Sequence, residues 1–329
     1  MNIKAIADLA GVSKASVSRV LNNHPSVSRQ LREKVEKVIS DHGYEPNAVA
    51  RALAKRQTRT IGLVIPRPAQ YVFGHPFHSD ILRGVGMVLE SEGYTFQVHT
   101  SAGPDMLAAI RRDRSCDGIL VSGVFMDDPL VRRLKGLDSV PVVAMNQPSP
   151  RPSVPFVTMD DEHGAYMATM HLIERGHTKL MMMNGPAVMY SVNRLKGFKK
   201  ALRRSGIPFQ NSMIISGEYS IGSGRALMEK ILSLPEPPTA IFAASDYLGL
   251  GALFAANEKG VRVPEDIAIV GMDNFPISAM VAPPLTTVDV HAFDVGFQAA
   301  RLLLRLISGE RPSETQIVLP THLVVRKST

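Results

Sequence analysis

The sequence predicts an α/β protein with a small all-helical unit at the N-terminus, followed by a two-lobed core built on parallel sheets. The first 45 residues contain three short amphipathic helices in succession. From Thr60 the pattern changes, and short strands rich in Val and Ile alternate with helices. This alternation indicates parallel sheets covered by helices on both faces. It occurs twice over similar lengths in a chain of 329 residues, so we expect two lobes with a cleft between them.

Capping residues mark the starts of the three N-terminal helices. Asn2, Ser13 and Ser28 are placed to cap them, and Gly11 and Gly43 are placed to end the first and the third. The apolar residues at helical spacing, which should form the buried faces, are Ile3, Ile6 and Leu9, then Val17, Val20 and Leu21, then Leu31, Val35, Val38 and Ile39. Only the turn AGVS separates the first two helices, a pattern typical of a helix-turn-helix.

Continuous apolar segments mark the expected strands of the core. In chain order they are TIGLVIP, FQVHT, GILVSG, VVAMN, FVTM, KLMMMNG, MIIS, AIFAAS and IAIVGMD. Helical patterns between them lie around residues 79–92, 104–113, 128–137, 193–204, 222–233 and 246–259. The C-terminal part, with TTVDV, a helix over 292–307 and HLVVRKS, is too short for a domain and should complete the two lobes. In such sheets ligands bind at the carboxyl ends of the strands.

The net charge of +7 is concentrated at the N-terminal end. Residues 1–60 contain 11 Lys and Arg against 5 Asp and Glu, so they carry +6 and the other 269 residues carry +1. Such a concentration suits binding to phosphate backbones, although charge alone fits a solvated surface equally well.

The composition indicates a protein of the cytoplasm. The single cysteine, Cys116, can form neither an internal disulfide nor a metal cluster. Asp8 interrupts the first helix, so the N-terminus does not have the charged and then apolar pattern of an export signal. Apolar segments such as KLMMMNG are too short to cross a bilayer, so no membrane partner is expected.

Six motifs in the right order give the chain a strong resemblance to the LacI/GalR (lactose-repressor) family of bacterial transcription regulators. They are IKAIADLAGVSKASVSRVLN, YEPNAVARALAKR before TIGLVIP, HLIERGHTKL, RLKGFKKAL, SDYLGLGAL, and VPEDIAIVGMDN before PPLTTV. Within that family, FGHPFHSDILRG is most similar to regulators of maltose or α-glucoside use. Two departures lie near the expected cleft: Ser245 stands where the family usually has Asn, and HPFH stands where NPFF is common.

The resemblance implies a division into three parts. Residues 1–45 would form the helix-turn-helix DNA-binding domain, 46–59 a hinge helix, and 60–329 an effector-binding and dimerisation domain of the periplasmic-binding-protein-like fold. The N-subdomain would comprise about 60–158 plus 290–319, and the C-subdomain about 159–289 plus 320–329.

The second helix is the expected DNA-recognition helix. By resemblance its DNA-binding residues are Ser13, Lys14, Ala15, Ser16, Ser18 and Arg19, with bases read by Lys14, Ala15 and Arg19 and phosphates bound near Ser16 and Ser18. Arg19 can form two hydrogen bonds to a guanine, whereas Ala15 can only pack on a thymine methyl. The alternative is an ordinary solvated helix.

A second DNA contact is implied for the hinge, at Asn47, Leu53, Ala54 and Lys55. Leu53 is the large apolar residue of a short basic segment that has no evident core of its own. In the family a leucine here wedges into a base step of the operator and opens the minor groove, a known way of kinking DNA. Leu53 could instead pack on the effector domain.

The resemblance also implies an effector site in the cleft. Arg194, Asp246 and Asp273 would supply an arginine with nearby carboxylates, which suits the vicinal hydroxyls of a sugar or an acidic group. The remaining implied members, each of which could equally be a core or capping residue, are Phe77, Asp160, Tyr219 and Phe275.

Sequence motifs of catalysis are not found, so we expect no enzyme and no cofactor. GLGALF lacks the third glycine of a dinucleotide loop, and neither GxxxxGK[ST] nor GxSxG occurs. His75 and His78 lack further candidate ligands for a metal. We therefore expect a homodimeric repressor that binds a palindromic operator and is controlled by a small molecule. A sugar is the expected effector, and a purine or a phosphorylated sugar is the alternative. The alternative, a sugar-binding protein of the transport type, predicts an export signal and no helix-turn-helix.

Leu53→Ala should weaken specific operator binding while effector binding and dimerisation persist, because the expected wedge acts only on DNA. Amides of residues 46–59 should gain hydrogen-exchange protection when operator DNA is added. Equal protection of these amides with and without operator would contradict a hinge that orders on DNA.

Overall fold

The computed structural model describes residues 1–21, 24–44, 57–100, 115–122, 140–146 and 154–329. These residues form two compact units, Met1–Arg59 and Thr60–Thr329. The expected helices around 104–113 and 128–137 lie outside the described residues, and so do four of the expected DNA-binding residues, Asn47, Leu53, Ala54 and Lys55.

The first unit contains the three helices that the sequence predicts, α1 (Ile3–Leu9), α2 (Lys14–Leu21) and α3 (Arg29–Asp41). The three predicted caps are confirmed. The Asn2 side chain accepts from the Ala5 N–H, and the hydroxyls of Ser13 and Ser28 accept from the N–H groups of Ser16 and Leu31. Gly11 and Gly43 have positive φ angles of 58° and 55°, a conformation that glycine adopts without strain.

The core of this unit is small and joins all three helices. Its fully buried members are Ile6, Ala7, Ala10, Val17, Val20 and Val35. The prediction that Leu9 belongs to the buried face is wrong, since 53% of its surface is exposed. The buried face of α1 instead runs through Ile6, Ala7 and Ala10, which follow one another at helical spacing.

The second unit contains two six-stranded sheets. Its strands are β1 (Thr60–Val64), β2 (Thr95–His99), β3 (Gly118–Ser122), β4 (Val142–Met145), β5 (Phe156–Met159), β6 (Leu180–Asn184), β7 (Ile214–Ser216), β8 (Ala240–Ala243), β9 (Ala268–Asp273), β10 (Thr286–Asp289), β11 (Gln316–Leu319) and β12 (His322–Val324). The first sheet has the order β11-β5-β4-β3-β1-β2 and is parallel throughout. The second has the order β12-β10-β9-β8-β6-β7, in which only the edge strand β12 runs antiparallel.

Helices pack on both sheets and divide the unit into two lobes. The described helices are α4 (Ala69–Gly74), α5 (Pro76–Ser91), α6 (Asp161–Glu174), α7 (Met189–Arg204), α8 (Ile221–Leu232), α9 (Asp246–Glu258) and α10 (Ala292–Ile307). The first lobe comprises the first sheet with α4, α5 and α10, and the second lobe comprises the second sheet with α6 to α9. The described chain passes between the lobes three times, after Met159, after Asp289 and after Leu319.

Three elements do not appear among the strands and helices that the sequence predicts, and the first of them is the six-residue helix α4. Helix α6 buries a face of small residues that includes Gly164, Ala165 and Ala168, so its apolar periodicity is weak. Strand β11 has four residues of alternating exposure at the edge of its sheet, too few to give a clear pattern. In the described part of the chain, no helix has the length and apolar character needed to span a membrane.

Gly197→Ala should destabilise the second lobe, because a Cβ at this position of α7 would lie 2.1 Å from the backbone oxygen of Glu162 on α6. Overpacking of this kind costs about 1–3 kcal/mol. Gly222→Ala is the matched control. Its Cβ would meet no atom within 4 Å, so the change should stabilise helix α8 by up to about 1 kcal/mol. Urea unfolding of both variants measures the difference, and equal stabilities would contradict the close helix crossing.

Candidate functional site

Helix α2, the expected recognition helix, turns one face inward and the opposite face to solvent. Val17 and Val20 are buried, whereas Lys14, Ala15 and Arg19 are exposed. Ser16 and Ser18 are partly buried beside that exposed face. The Ser13 hydroxyl is committed to the helix cap, because it accepts from the Ser16 N–H and lies 2.9 Å from the Ser16 hydroxyl.

A cavity of about 480 Å³, part of it open to solvent, lies between the two lobes of the second unit. Both lobes supply side chains to its wall, which is largely aromatic with a few polar groups. From the first lobe come Arg67, Tyr71, His75, Phe77, His78 and Asn146, and from the second come Tyr190, Arg194, Tyr219, Ser245 and Asp273. An aromatic wall with a few polar groups is typical of small-molecule sites.

Of the seven residues expected at the effector site, Phe77, Arg194, Tyr219 and Asp273 line this cavity. The other three do not line it. Asp160 accepts from the His163 N–H at 2.9 Å and caps helix α6, which was its alternative role. Phe275 is 2% exposed and packs behind the wall, with its ring 5.4 Å from those of both His75 and Tyr247.

The third, Asp246, is fully buried and holds a turn in place. Its carboxylate accepts from the Phe275 N–H at 2.8 Å and from the hydroxyls of Ser278 and Thr287. These bonds occupy both carboxylate oxygens and connect the start of α9 to the segment that follows β9. Asp246 therefore positions the neighbouring wall residue Asp273 and makes no contact of its own with the cavity.

The turn that Asp246 holds is strained. Asp273 and Asn274 have φ angles of 130° and 56°, in the region that favours glycine. Residues are kept in such conformations only where the surroundings over-determine them, and this occurs most often at functional sites. Asn274 is held by its own bonds, since its side chain donates to Asp289 at 2.9 Å and accepts from Arg326 at 2.6 Å.

Arg194 is the central cation of the second lobe, and its side chain is only 5% exposed. Its Nε donates to Asp161 Oδ1 at 2.8 Å, and its Nη1 donates to the Ala244 carbonyl and lies 3.3 Å from Asp273 Oδ1. Burial alone would lower the pKa of this guanidinium, but the two carboxylates more than offset that effect, so its pKa is raised and it stays charged. Asp161, immediately after the expected member Asp160, is a partner that sequence reasoning did not identify.

Asp273 is the weaker of the two carboxylate partners. Burial raises its pKa to about 8, although Arg194 acts in the opposite direction, and the nearby carboxyls of Asp246 and Asp161 add to the rise. One guanidinium is thus shared between two buried acids, Asp161 and Asp273. Because Asp161 has the shorter contact with Arg194, the proton resides more readily on Asp273.

Tyrosines complete the second-lobe wall. The Tyr219 hydroxyl lies 2.7 Å from the Ser191 hydroxyl, and burial raises the Tyr219 pKa to about 12. Its ring reaches this position because residue 185 is glycine, where a Cβ would lie 2.1 Å from the ring. The Tyr190 ring lies 5.5 Å from the Arg194 guanidinium carbon, within the range of a cation–π contact.

Two histidines on the first-lobe wall are cavity residues that sequence reasoning placed near the cleft, within HPFH, but did not assign to the effector site. Burial lowers the pKa of His75 to about 4 and that of His78 to about 3, so both imidazoles are neutral at physiological pH. Their rings lie within 5.3 and 5.4 Å of the Tyr71 ring. The replacement of NPFF by HPFH was the available sequence signal for them.

Comparison with known proteins agrees with this architecture. The profile of the lacI family of bacterial regulatory proteins matches residues 2–47, and that of the periplasmic binding protein-like domain matches residues 169–329. The HTH-type transcriptional regulator CelR of Thermobifida fusca is 36% identical over 332 residues, covering 99% of this chain and 97% of that protein. The chain belongs to the LacI family.

Other LacI-family relatives match over similar lengths. Catabolite control protein A of Priestia megaterium is 34% identical and covers 100% of this chain and 99% of that protein. Among solved structures, the CelR–cellobiose complex matches with a TM-score of 0.77 at 35% identity, covering 100% of both chains. The lac repressor dimer bound to operator and the anti-inducer ONPF matches with a TM-score of 0.88 at 28% identity, covering 100% of this chain and 98% of that one. As a member of the LacI family, the protein is a DNA-binding transcriptional regulator.

Asp273→Asn should change how stability depends on pH. The folded-state pKa of Asp273 is about 8 and the usual value is 3.8, so between these values the native state binds more protons than the unfolded chain. The stabilisation from this group is therefore present at low pH and is lost as the pH rises through about 8. Asparagine resembles the protonated carboxyl, so the variant's free energy of unfolding should fall less between pH 5 and 8, by on the order of 1–3 kcal/mol.

Asp266→Asn is the control for this measurement. Asp266 is exposed and hydrogen-bonded to Arg262, which lowers its pKa to about 2, so its contribution is lost only as the pH falls below the usual carboxyl range. Denaturant titrations at several pH values compare the three proteins. An Asp273→Asn curve parallel to the wild type from pH 5 to 8 would show that the carboxyl is not protonated in the fold.

Proposed function

We propose that this regulator is a homodimeric repressor whose affinity for a palindromic operator is controlled by a sugar bound between the lobes. The observation that carries the proposal is the cavity wall, in which both lobes contribute polar groups among aromatic rings. A ligand that contacts both lobes binds their closed arrangement more tightly than their open one. An effector requires such a difference in affinity between two states of the protein.

The exposed face of α2 supports the DNA half of the proposal. Lys14, Ala15 and Arg19 would read base edges, and Ser16 and Ser18 would lie near phosphates. Two such helices related by a two-fold axis bind half-sites about one helical turn apart, which gives an operator of about 14–20 base pairs. Residues 46–59 would act as the hinge and supply Asn47, Leu53, Ala54 and Lys55, and the protein would work in the cytoplasm.

The cavity chemistry favours an uncharged sugar as the effector. Arg194 already faces two buried carboxyls, so it can donate to a hydroxyl without requiring an anionic ligand. Asp273 and the hydroxyls of Tyr190 and Tyr219 provide further hydrogen-bonding groups, and Phe77 provides an apolar surface. Because the related CelR was solved with cellobiose, cellobiose is the first ligand to test, with maltose as the second.

Control by the effector would pass through the connections between the lobes. Closure of the cavity around a sugar would rotate one lobe on the other about the three crossovers after Met159, Asp289 and Leu319. In the dimer this motion would bias the hinge between ordered and disordered states, and operator affinity would follow the population of the ordered state.

Selection of binding sites from random duplex DNA by the purified protein tests the regulatory role. The selected sites should share a near-palindrome, and their affinity should fall steeply as salt rises, because several phosphates are contacted. Adding cellobiose or maltose to the purified complex should then change operator affinity at least tenfold, a coupling of about 1.4 kcal/mol. Selected DNA without two-fold symmetry would rule out the proposed dimer on an operator.

Arg19→Ala should weaken operator binding by about 1–3 kcal/mol and relax base preference at one position in each half-site. Lys37→Ala is the control, because it removes one exposed positive charge from α3, outside the recognition helix. The Lys37→Ala control should lose a similar non-specific electrostatic contribution to DNA affinity and should keep the full base preference. Repeating the site selection with both variants measures this, and unaltered sites for Arg19→Ala would exclude it from base reading.

A further inference from the structure

The first-lobe wall of the cavity contains two buried histidines whose ring nitrogens lack hydrogen-bond partners. His75 is 8% exposed and His78 is 5% exposed. Within the described residues, both ring nitrogens of His75 and Nδ1 of His78 make no hydrogen bond. Buried polar groups are nearly always paired in proteins because an unpaired one destabilises the fold, so three such atoms beside one cavity require an explanation.

The surroundings of His75 do not provide partners for these nitrogens. The ring is packed among aromatic groups, with the Tyr71 centroid at 5.3 Å, Tyr247 at 4.9 Å and Phe275 at 5.4 Å. Tyr247 and Phe275 belong to the second lobe, so this histidine lies where the two lobes meet. The packing holds the ring in one orientation and leaves its polar edges for a molecule in the cavity.

The charge state of the two rings indicates what kind of molecule they bind. Burial keeps both imidazoles neutral, and the cations Arg194 and Arg67 act in the same direction on His75 and His78 respectively. A neutral imidazole offers one N–H donor and one acceptor. A hydroxyl group can satisfy either nitrogen, whereas a phosphate or carboxylate only accepts and leaves the second nitrogen unpaired.

We propose that His75 and His78 are specificity-determining residues that bind neighbouring hydroxyl groups of an uncharged sugar. This inference rests on the proposed function and deepens it, because it selects neutral sugars over phosphorylated ones. It also predicts that the two histidines affect the stability of the free protein and of the sugar-bound protein in opposite directions. Their unpaired nitrogens destabilise the free fold, and the same nitrogens become hydrogen-bonded when the sugar binds.

His75→Phe and His78→Phe in the full chain test this inference, because phenylalanine keeps a ring and removes the polar atoms. The free variants should melt at or above the wild-type temperature, since replacing an unpaired buried polar group by an apolar one of similar shape is neutral or stabilising. Calorimetric affinity for cellobiose or maltose should fall at least tenfold, which is about 1.4 kcal/mol. His75→Asn, which keeps a donor and an acceptor, should lose less affinity than His75→Phe.

His163→Phe is the matched control, because His163 is exposed on α6 and does not line the cavity. It should leave sugar affinity unaltered. Glucose 6-phosphate is the anionic probe and should bind the wild type more weakly than the neutral sugar does. Operator affinity in the absence of sugar is measured for every variant, and for His163→Phe it should stay at the wild-type value.

Three results would overturn the inference. Wild-type affinity for the sugar in His75→Phe and His78→Phe would remove these residues from recognition, and a clearly lower melting temperature of the free variants would assign them to the core. Binding of glucose 6-phosphate in preference to both neutral sugars, or of none of the three, would exclude the ligand class. Because operator binding is measured separately, these failures are distinguishable from failure of the proposed regulatory function.

Discussion

The buried guanidinium of Arg194 is the interaction on which the second lobe depends. It joins the start of α6 at Asp161, the segment after β8 at Ala244 and the end of β9 at Asp273. A charge buried to this extent is tolerated only when it is paired and hydrogen-bonded, and removing one partner of such a pair typically costs about 3–5 kcal/mol. Arg194 is therefore a structural residue of the lobe as well as a member of the cavity wall.

Three buried carboxyl groups lie at or near this ion cluster, more than the single guanidinium can neutralise. Asp161, Asp246 and Asp273 are all buried, and burial raises the pKa of each. Asp246 satisfies its oxygens with three hydrogen bonds and thereby holds the strained turn at Asp273 and Asn274. The acid that touches the cavity is thus presented by a turn that another acid holds in place, so its geometry is set before any ligand arrives.

The two walls of the cavity differ in how far their polar groups are satisfied. On the second lobe Nε and Nη1 of Arg194 and the Tyr219 hydroxyl have partners within the protein. On the first lobe, in the described part of the chain, the ring nitrogens of His75 do not. A wall whose polar groups are already paired is rigid. A wall with unpaired polar groups gains the most hydrogen-bond stabilisation when a ligand binds. This difference between the walls suits a site that closes on its ligand. The stabilisation from the new hydrogen bonds is obtained only when both walls contact the same molecule.

The sequence by itself determined the order of the elements and most of the DNA-recognition unit. Caps, glycines and apolar periodicity are local properties, and for this reason the helices, their Ser and Asn caps and the exposed positions of Lys14 and Arg19 could be predicted. Family resemblance located Arg194 and Asp273 at the cavity. Tertiary structure alone decided that Asp246 lies behind the wall, that Asp161 pairs with Arg194, and that His75 is buried without hydrogen bonds in the described structure. Each of these facts depends on the approach of segments distant in sequence, and a single segment does not encode which atoms meet there.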